Sequence, residues 1–324
     1  MTRCKTIALG WLAVCVATIS LSAAEWVSIS DTVTNGLSKP GTYGPTAGVA
    51  VDRANGNVFM VVSDYGMWRS GDHGKTFTRV DDKTIGGRCE TGWALQMDPA
   101  GGRMFAFMIY GSSAMTTDGG KTWAKSKLSH LDFGGVDWED TGKRLLAHRH
   151  ESGGMLATSD DGGATWRDLE KGFLNCGVLD RNTFVATKAK EKGIWRSTDA
   201  GATWTEVSTN TPPAGTPTMF KGVAYWPMGK SILTSKDKGA TWTDLGPPVD
   251  AMFGPMFGRD ASHLVVVGKS GFQESKDGGK TWQSAAPLPP GFTVNRVGPN
   301  YAWDHQANIF YASSMSKHTF KFQR

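Results

Sequence analysis

The residues of this chain that could do acid–base chemistry stand in short polar segments between apolar runs. The richest segment reads His148-Arg149-His150-Glu151. Two carboxyls about 6.5–9.5 Å apart can hydrolyse a glycosidic bond, because one protonates the leaving oxygen while the other activates water. We therefore assign candidate roles to two sets of residues. The catalytic candidates are Asp64, Glu90, Asp132 and His150, and the substrate-binding candidates are Tyr65, Arg88, Tyr110, His148, Arg149 and Arg296.

Hydrolysis is the chemistry that these carboxyls favour. Asp64 is the predicted base, and Glu90 or Asp132 is the predicted acid. Aromatic rings would stack on sugar rings, and arginines would bind an acidic substituent. The rings with that role are Tyr65, Trp93 or Tyr110, and the arginines are Arg149 or Arg296.

The histidine pair allows two further interpretations. In a polysaccharide lyase, His148 or His150 would act with a tyrosine to abstract the proton beside a uronate carboxylate, which Arg149 would neutralise. Two histidines at positions i and i+2 of a strand also share one face, which suits Zn²⁺. No third ligand is fixed by the sequence, so we predict neither a metal nor another cofactor.

An internal repeat decides which elements must position these residues. The pattern Ser/Thr-x-Asp-x-Gly-x-Thr-Trp/Phe occurs six times, with spacings of 46, 43, 38, 38 and 40 residues. A period near 40 with four short strands per unit is typical of a β-propeller. The copies are Ser70–Phe77, Thr116–Trp123, Ser159–Trp166, Ser197–Trp204, Ser235–Trp242 and Ser275–Trp282.

The repeat is physically suited to a turn. Its aspartate can accept hydrogen bonds from nearby backbone N–H groups, and its glycine can adopt the positive φ that the turn requires. The motif resembles the Asp box, or BNR repeat, of secreted β-propellers, and the resemblance covers nearly the whole chain after the N-terminal segment. It implies that each box lies between the third and fourth strands of a blade and is structural there.

The number of blades follows from the units before and after the boxes. Thr46–Asp52, Asn57–Ser63 and Met67–Ser70 read as three strands before the first box. The same frame recurs after the last box, but the chain stops one strand short there. The segment Trp26–Ser30 can supply that outer strand and close the ring, which removes exposed edges. We predict an all-β, seven-bladed β-propeller over residues 25–324.

The position of the boxes also predicts the functional face. We label the four strands of a blade A to D in chain order. If the boxes lie at the turns between strands C and D, the loops between strands B and C and the connections between blades lie on the opposite face. The candidate residues all fall in these loops, together with further polar residues that surround them. The additional members of this ring are Tyr43, His130, Glu151, Lys188, Lys190, Glu191, Lys269, Asn295, Lys317 and His318.

Three families with Asp boxes suggest different activities. Sialidases carry an Arg-Ile-Pro element before the first boxes, and this chain has none. Xyloglucanase-like glycoside hydrolases carry Thr-Asp-Val-Gly-Gly-Ala-Tyr-Arg with a catalytic Asp, which Ser63–Arg69 resembles with one glycine fewer. Their second carboxylate comes from a second propeller, which this chain lacks. Photosystem-assembly factors of the Ycf48 type are similar too, and they are non-enzymatic scaffolds.

The remaining features of the sequence concern location and partners. A basic start, an apolar run over residues 6–21 and small residues at 22–24 predict a signal peptide over residues 1–24 and a secreted or periplasmic protein. The net charge of +5 is too mild to indicate nucleic-acid binding, and no later segment is long and apolar enough to span a membrane. Cys89 and Cys176 could form a disulfide or remain two buried thiols.

We therefore expect a monomeric, carbohydrate-directed propeller that acts on a polysaccharide or glycan. A glycoside hydrolase is favoured, and a lyase or a scaffold that binds a glycan or a protein partner is the alternative.

Overall fold

The computed structural model describes residues 25–297 and 299–324. The predicted signal peptide, residues 1–24, lies outside the described residues. Within them, 28 strands form seven four-stranded antiparallel sheets. The sheets are arranged in a ring, so the protein is a seven-bladed β-propeller, as the repeat predicted.

Each blade runs from an innermost strand A to an outermost strand D. Blades 1 to 4 comprise β2 to β17: Thr46–Asp52, Asn57–Val62, Gly66–Ser70 and Thr78–Arg79; Leu95–Met97, Met104–Ala106, Ala114–Thr116 and Ala124–Lys125; Leu131–Val136, Leu145–Arg149, Leu156–Ser159 and Arg167–Asp168; and Phe173–Val178, Phe184–Lys188, Ile194–Ser197 and Thr205–Ser208.

Blades 5 to 7 follow the same order, except that strand D of the last blade comes from the N-terminal segment. Their strands are Thr218–Phe220, Val223–Pro227, Ile232–Ser235 and Thr243–Asp244 (β18–β21); Phe253–Phe257, Leu264–Gly268, Gly271–Ser275 and Gln283–Ala286 (β22–β25); and Asn300–Asp304, Ile309–Ser313 and Phe320–Gln323 (β26–β28) with Trp26–Ser28 (β1).

The ring closes through strand β1. Trp26 pairs with Phe322 and Ser28 pairs with Phe320 in an antiparallel ladder. The rings of Trp26 and Phe322 lie 5.4 Å apart. The last blade is therefore completed by the N-terminal segment, as predicted, and its third strand is not left as an exposed edge.

The core lies between neighbouring blades. Strands A and B are mostly buried, and their large side chains fill the space between two sheets. One core cluster, for example, brings together Phe59 of blade 1, Phe105 of blade 2 and Leu145 of blade 3. Burial of this apolar surface is the main favourable contribution to folding, at about 25 cal/mol per Å².

The six repeated sequences form the turns between strands C and D. In the first, Asp72 accepts hydrogen bonds from the backbone N–H groups of Lys75 and Thr76 and from the hydroxyls of Ser70 and Thr76. Gly74 has a φ of 81°, and a Cβ there would lie 2.8 Å from Ile29. The terminal aromatic residue of each repeat packs against a core cluster. The turn is thus held by its own residues and anchored between blades.

A short segment after β1 crosses the face opposite these turns. It contains α1, Asp31–Thr34, and then residues 35–45. We call residues 35–45 the strap. No helix among the described residues is long and apolar enough to cross a membrane.

Candidate functional site

We call the face that carries the loops between strands B and C the B–C face. On this face, Asp132 of blade 3 contacts two histidines. Its Oδ1 accepts a hydrogen bond from Nδ1 of His150 at 2.6 Å, and its Oδ2 accepts one from Nδ1 of His148 at 2.9 Å. The pairing of β10 with β11 shifts register between Leu131 and Phe133, at the position of Asp132. Irregularities of this kind re-aim a side chain at a strand end. Both carboxylate oxygens are therefore engaged by imidazoles.

The two histidines differ in what their second nitrogen faces. Nε2 of His148 lies 3.2 Å from the carbonyl oxygen of Phe173, so both of its nitrogens face oxygen acceptors. Its ring also stacks on Phe133, with centroids 5.1 Å apart. His148 has no nitrogen left to act as a base. It fixes Asp132 between blades 3 and 4.

His150 is oriented as a base. In the neutral imidazole with Nδ1 donating to Asp132, Nε2 is the acceptor, and the hydroxyl of Tyr110 lies 3.2 Å from it. Oε1 of Glu151 lies 3.7 Å from the same nitrogen. Asp132, His150 and Tyr110 thus form a relay of hydrogen bonds along which a proton can pass from the tyrosine to the imidazole. His148 contacts the other carboxylate oxygen of Asp132 and so orients the carboxylate that holds His150.

A cation lies beside Tyr110. The guanidinium of Arg88 lies 4.7 Å from the ring centre of Tyr110 and 3.9 Å from that of Tyr43. It also lies 3.8 Å from a carboxylate oxygen of Glu90. Burial raises the pKa of Glu90, although Arg88 and His150 oppose this shift. Glu90 is therefore the carboxyl of this group best suited to keep a proton.

The backbone around these residues is strained. Among the described residues, thirteen non-glycine residues have a positive φ. Such conformations are uncommon for bulky side chains and concentrate at functional sites. Six of them lie in this region: Tyr43, Asp64, Tyr110, His130, Glu151 and Ser316.

The structure therefore brings together six of the ten predicted site residues. We call this group the histidine–aspartate cluster, and its members are Arg88, Glu90, Tyr110, Asp132, His148 and His150. Glycine is needed beneath it, because Gly87 has a φ of 73° and a Cβ there would lie 2.0 Å from the carbonyl oxygen of Ile109. The exposed fraction of Tyr110 is 50%, whereas Arg88 and Asp132 are buried, so the cluster meets solvent through the ring of Tyr110.

Two predicted residues instead hold the strap. Oδ2 of Asp64 accepts a hydrogen bond from the backbone N–H of Thr42 at 2.7 Å, and the hydroxyl of Tyr65 donates to the carbonyl oxygen of Lys39 at 3.0 Å. The hydroxyl of Ser316 donates to the carbonyl oxygen of Tyr43 at 2.7 Å. These bonds position Tyr43 over Arg88.

Two predicted arginines lie apart from the cluster. Arg149 forms an ion pair of 2.7 Å with Asp168 on the outermost strand of blade 3. Arg296 reaches from the connection between blades 6 and 7 and donates to the carbonyl oxygen of Leu174 on blade 4, at 3.3 Å. Arg296 therefore lies near the centre of the B–C face, whereas Arg149 points to its edge.

Three buried residues bear on the predicted sugar-stacking role of Trp93 and on the predicted state of the two cysteines. Trp93 is buried beside the central channel, with its ring 5.6 Å from that of Phe253, and so lies apart from the exposed rings of Tyr43 and Tyr110. Cys89 and Cys176 are both free and buried, and burial raises the pKa of both thiols. The alternative of two thiols is therefore the one observed.

Two residues that the sequence did not indicate support the cluster. Phe133 stacks on His148, and the sulfur of Met315 lies 3.1 Å from Nε of Arg88. Both are apolar residues in strand or loop positions, where the sequence carries no signal beyond hydrophobicity. Across residues 25–297 and 299–324, no group of three or more His, Cys, Asp or Glu side chains is arranged to hold a metal ion.

A cavity of about 210 Å³ lies in the central channel. Residues of the innermost strands line it, including Trp93, Phe253 and Tyr301. Arg53 crosses the end of the channel nearest the repeated turns and donates to the carbonyl oxygens of Pro99 and Gly258. The channel is separate from the histidine–aspartate cluster.

Comparison with known proteins supports the fold. Residues 175–321 match the model of the DUF6242 beta propeller domain. No sequence match was found among curated proteins. The chain is similar in structure to YCF48 bound to D1 peptide, with 14% identity, 94% of this chain and 96% of that chain covered, and a TM-score of 0.54.

Two further solved structures are similar. The extracellular domain of a hybrid two-component system from B. thetaiotaomicron has 7% identity, with 93% of this chain and 40% of that chain covered and a TM-score of 0.58. A GH74 enzyme described as ancestral has 13% identity, with 87% and 45% covered and a TM-score of 0.47. At these identities the likeness shows the β-propeller fold alone, and a fold does not define a function.

Proposed function

We propose that this protein is a secreted or periplasmic Asp-box propeller that cleaves a uronate-containing polysaccharide by β-elimination at the histidine–aspartate cluster. The observation that carries the proposal is the Asp132–His150–Tyr110 relay, with bonds of 2.6 and 3.2 Å, beside the guanidinium of Arg88. A base next to a cation is the arrangement that removal of a proton beside a carboxylate requires.

The reaction uses the residues as follows. Arg88, which lies between the rings of Tyr43 and Tyr110, would act on the uronate carboxylate through its positive charge, which stabilises the negative charge that develops when the neighbouring C5–H bond breaks. The oxygen of Tyr110 would take the C5 proton while its own proton passes to Nε2 of His150. The electrons of the C5–H bond form a C4–C5 double bond, the C4–O bond breaks, and the leaving oxygen takes a proton from Glu90. No electrons are gained or lost overall.

Hydrolysis by a carboxylate pair is the second candidate. The observation that favours it is Glu90, whose pKa is raised by burial and which could therefore serve as the acid. It is less well supported because the carboxylate oxygens of Asp132 are both engaged by histidines, and Oδ2 of Asp64 accepts a bond from the strap.

A binding scaffold is the third candidate. The exposed rings of Tyr43 and Tyr110 on either side of Arg88 suit a glycan or a peptide, since exposed aromatic and arginine side chains dominate binding surfaces. The similar YCF48 structure contains a bound D1 peptide.

The purified protein, incubated with neutral, sulfated and uronate-containing polysaccharides, distinguishes these candidates. Elimination would give new reducing ends together with the ultraviolet absorbance of an unsaturated uronate. Reducing ends without that absorbance would support hydrolysis, and neither signal would favour a scaffold. Tyr110→Phe should abolish elimination, whereas Tyr225→Phe, the same change in blade 5, should not. Equal activity of the two variants would contradict the assignment of Tyr110.

A further inference from the structure

Lysines are placed in the same loop of four consecutive blades. The loops between strands B and C of blades 4, 5, 6 and 7 each contain at least one exposed lysine, with Lys192 as a second one in blade 4, whereas the corresponding loops of blades 1 to 3 contain none. All seven loops lie on the B–C face, so the lysines form an arc around the half of that face that lacks the histidine–aspartate cluster. We call Lys190, Lys230, Lys269 and Lys317 the lysine arc.

The charges of the arc are not neutralised within the part of the chain that the structure describes. None of the four ammonium groups has a carboxylate oxygen within 4.0 Å there. The nearby Glu191 pairs instead with Lys188, at 3.5 Å. Asp250 accepts bonds from the backbone N–H and the hydroxyl of Ser270, at 2.7 and 2.8 Å. Glu191 and Asp250 are therefore already bound, and the arc is free to meet an external anion.

Arg296 connects the arc to the cluster. It projects from the connection between blades 6 and 7 and donates to the carbonyl oxygen of Leu174. The carbonyl oxygen of Phe173, the residue before Leu174, faces Nε2 of His148. Arg296 therefore places one positive charge next to the strand that contacts the inner edge of the cluster.

We propose that the lysine arc and Arg296 bind an anionic polysaccharide chain and lead it to the histidine–aspartate cluster. This inference rests on the proposed function and adds a second binding surface and the path that the substrate follows. Several exposed lysines suit a chain that carries carboxylate or sulfate groups at intervals, because each ammonium is a flexible point charge. Binding of this kind weakens with salt.

The arc is not suited to single-stranded nucleic acid. Such proteins combine basic grooves with exposed aromatic rings on which successive bases stack. Among the described residues, the large apolar side chains that are exposed are Val27, Tyr43, Tyr110 and Val297, and none belongs to blades 4 to 6. A polymer that needs charge contacts but no stacking along the arc is therefore favoured.

Binding of dextran sulfate and of unsulfated dextran of equal length tests the proposal. The full protein should bind the sulfated polymer only. Lys190→Gln/Lys230→Gln/Lys269→Gln should weaken that binding about tenfold, as expected for three exposed ion pairs, and should reduce its salt dependence. The matched control, Lys121→Gln/Lys236→Gln/Lys280→Gln, removes the same charge from the repeated turns on the opposite face and should leave binding unchanged.

Two results would overturn the proposal. Equal weakening in both triple variants would mean that only net charge matters. Single-stranded DNA that binds as tightly as dextran sulfate, with the same dependence on the arc, would identify nucleic acid as the partner. The variant His150→Ala separates the two proposals, because it should retain dextran sulfate binding and lose elimination. If arc-dependent binding holds but no uronate polymer is cleaved, the proposed elimination fails while the arc stands.

Discussion

Aspartates on the two faces of the propeller are bound in different ways. In the repeated turns, the partners of each aspartate lie within four residues along the chain, as Ser70 and Thr76 do for Asp72. On the B–C face, Asp132 is 16 and 18 residues from its two histidines, and His150 is 40 residues from Tyr110. A turn aspartate stabilises its own turn, whereas Asp132 ties together loops that belong to blades 2, 3 and 4.

This difference separates the part of the molecule that repeats from the part that does not. Six equivalent turns can each lose stability without changing the others, because their bonds are local. The histidine–aspartate cluster occurs once and depends on several blades. We therefore expect substitutions at the turns to lower the free energy of unfolding, and substitutions in the cluster to remove activity.

The largest expected effect is that of Asp132→Ala. Without the carboxylate, His150 is no longer held as an acceptor for Tyr110, and elimination of uronate polymers should slow by about 10²–10⁴-fold, the usual contribution of general base catalysis. The measurement is the initial rate of ultraviolet absorbance. Asp72→Ala, the matched change in a repeated turn, should leave that rate unchanged in folded protein. A full rate in Asp132→Ala would show that the relay is not used.

The turns have local bonds and the cluster has long-range bonds, and this difference explains how much of each could be predicted from the sequence. The turns, the seven blades and the closure by Trp26–Ser28 were predictable because each depends on a short pattern or on its repetition. The cluster was predictable only as a set of residue types on one face. That Asp132 bridges two histidines, and that Asp64 holds the strap, depends on a register shift and on loop paths that no local pattern encodes.

Acid should act on all the repeated turns together. The threonine hydroxyl and backbone N–H of the motif lower the pKa of Asp118, Asp199, Asp237 and Asp277 to about 2. The unfolded-state value is about 3.9. Because the folded-state pKa is the lower one, this stabilisation is fully present above pH about 4 and is lost as the pH falls toward about 2.

Thermal unfolding followed by circular dichroism between those pH values measures the loss. Replacing these four aspartates by asparagine should flatten the dependence, since asparagine keeps an acceptor oxygen and does not titrate. An unchanged slope in that variant would assign the acid sensitivity to other carboxyls, such as Glu274, which is bound by Arg324 and His263.

A single turn should contribute a smaller amount. Asp237→Ala removes the acceptor for the N–H and the hydroxyl of Thr241, at 2.9 and 2.6 Å, and for the hydroxyl of Ser235. By analogy with the loss of a helix-capping aspartate, the free energy of unfolding should fall by about 1–2 kcal/mol. Urea denaturation measures this value, and Asp237→Asn should recover part of it. A loss in Asp237→Asn equal to that in Asp237→Ala would mean that charge, and not the acceptor, holds the turn.

The smallest expected effect is that of Arg149→Ala, although this residue stands between the two histidines of the cluster in sequence. Its guanidinium pairs with Asp168 at the exposed edge of blade 3. Exposed ion pairs of this kind contribute about 0–1 kcal/mol, so stability should change little and the rate of elimination should not change. Arg167→Ala, on the same outer strand, is the matched control. If Arg149→Ala lowered the rate as Asp132→Ala does while Arg167→Ala did not, Arg149 would take the role of neutralising the uronate, and the assignment of that role to Arg88 would be wrong.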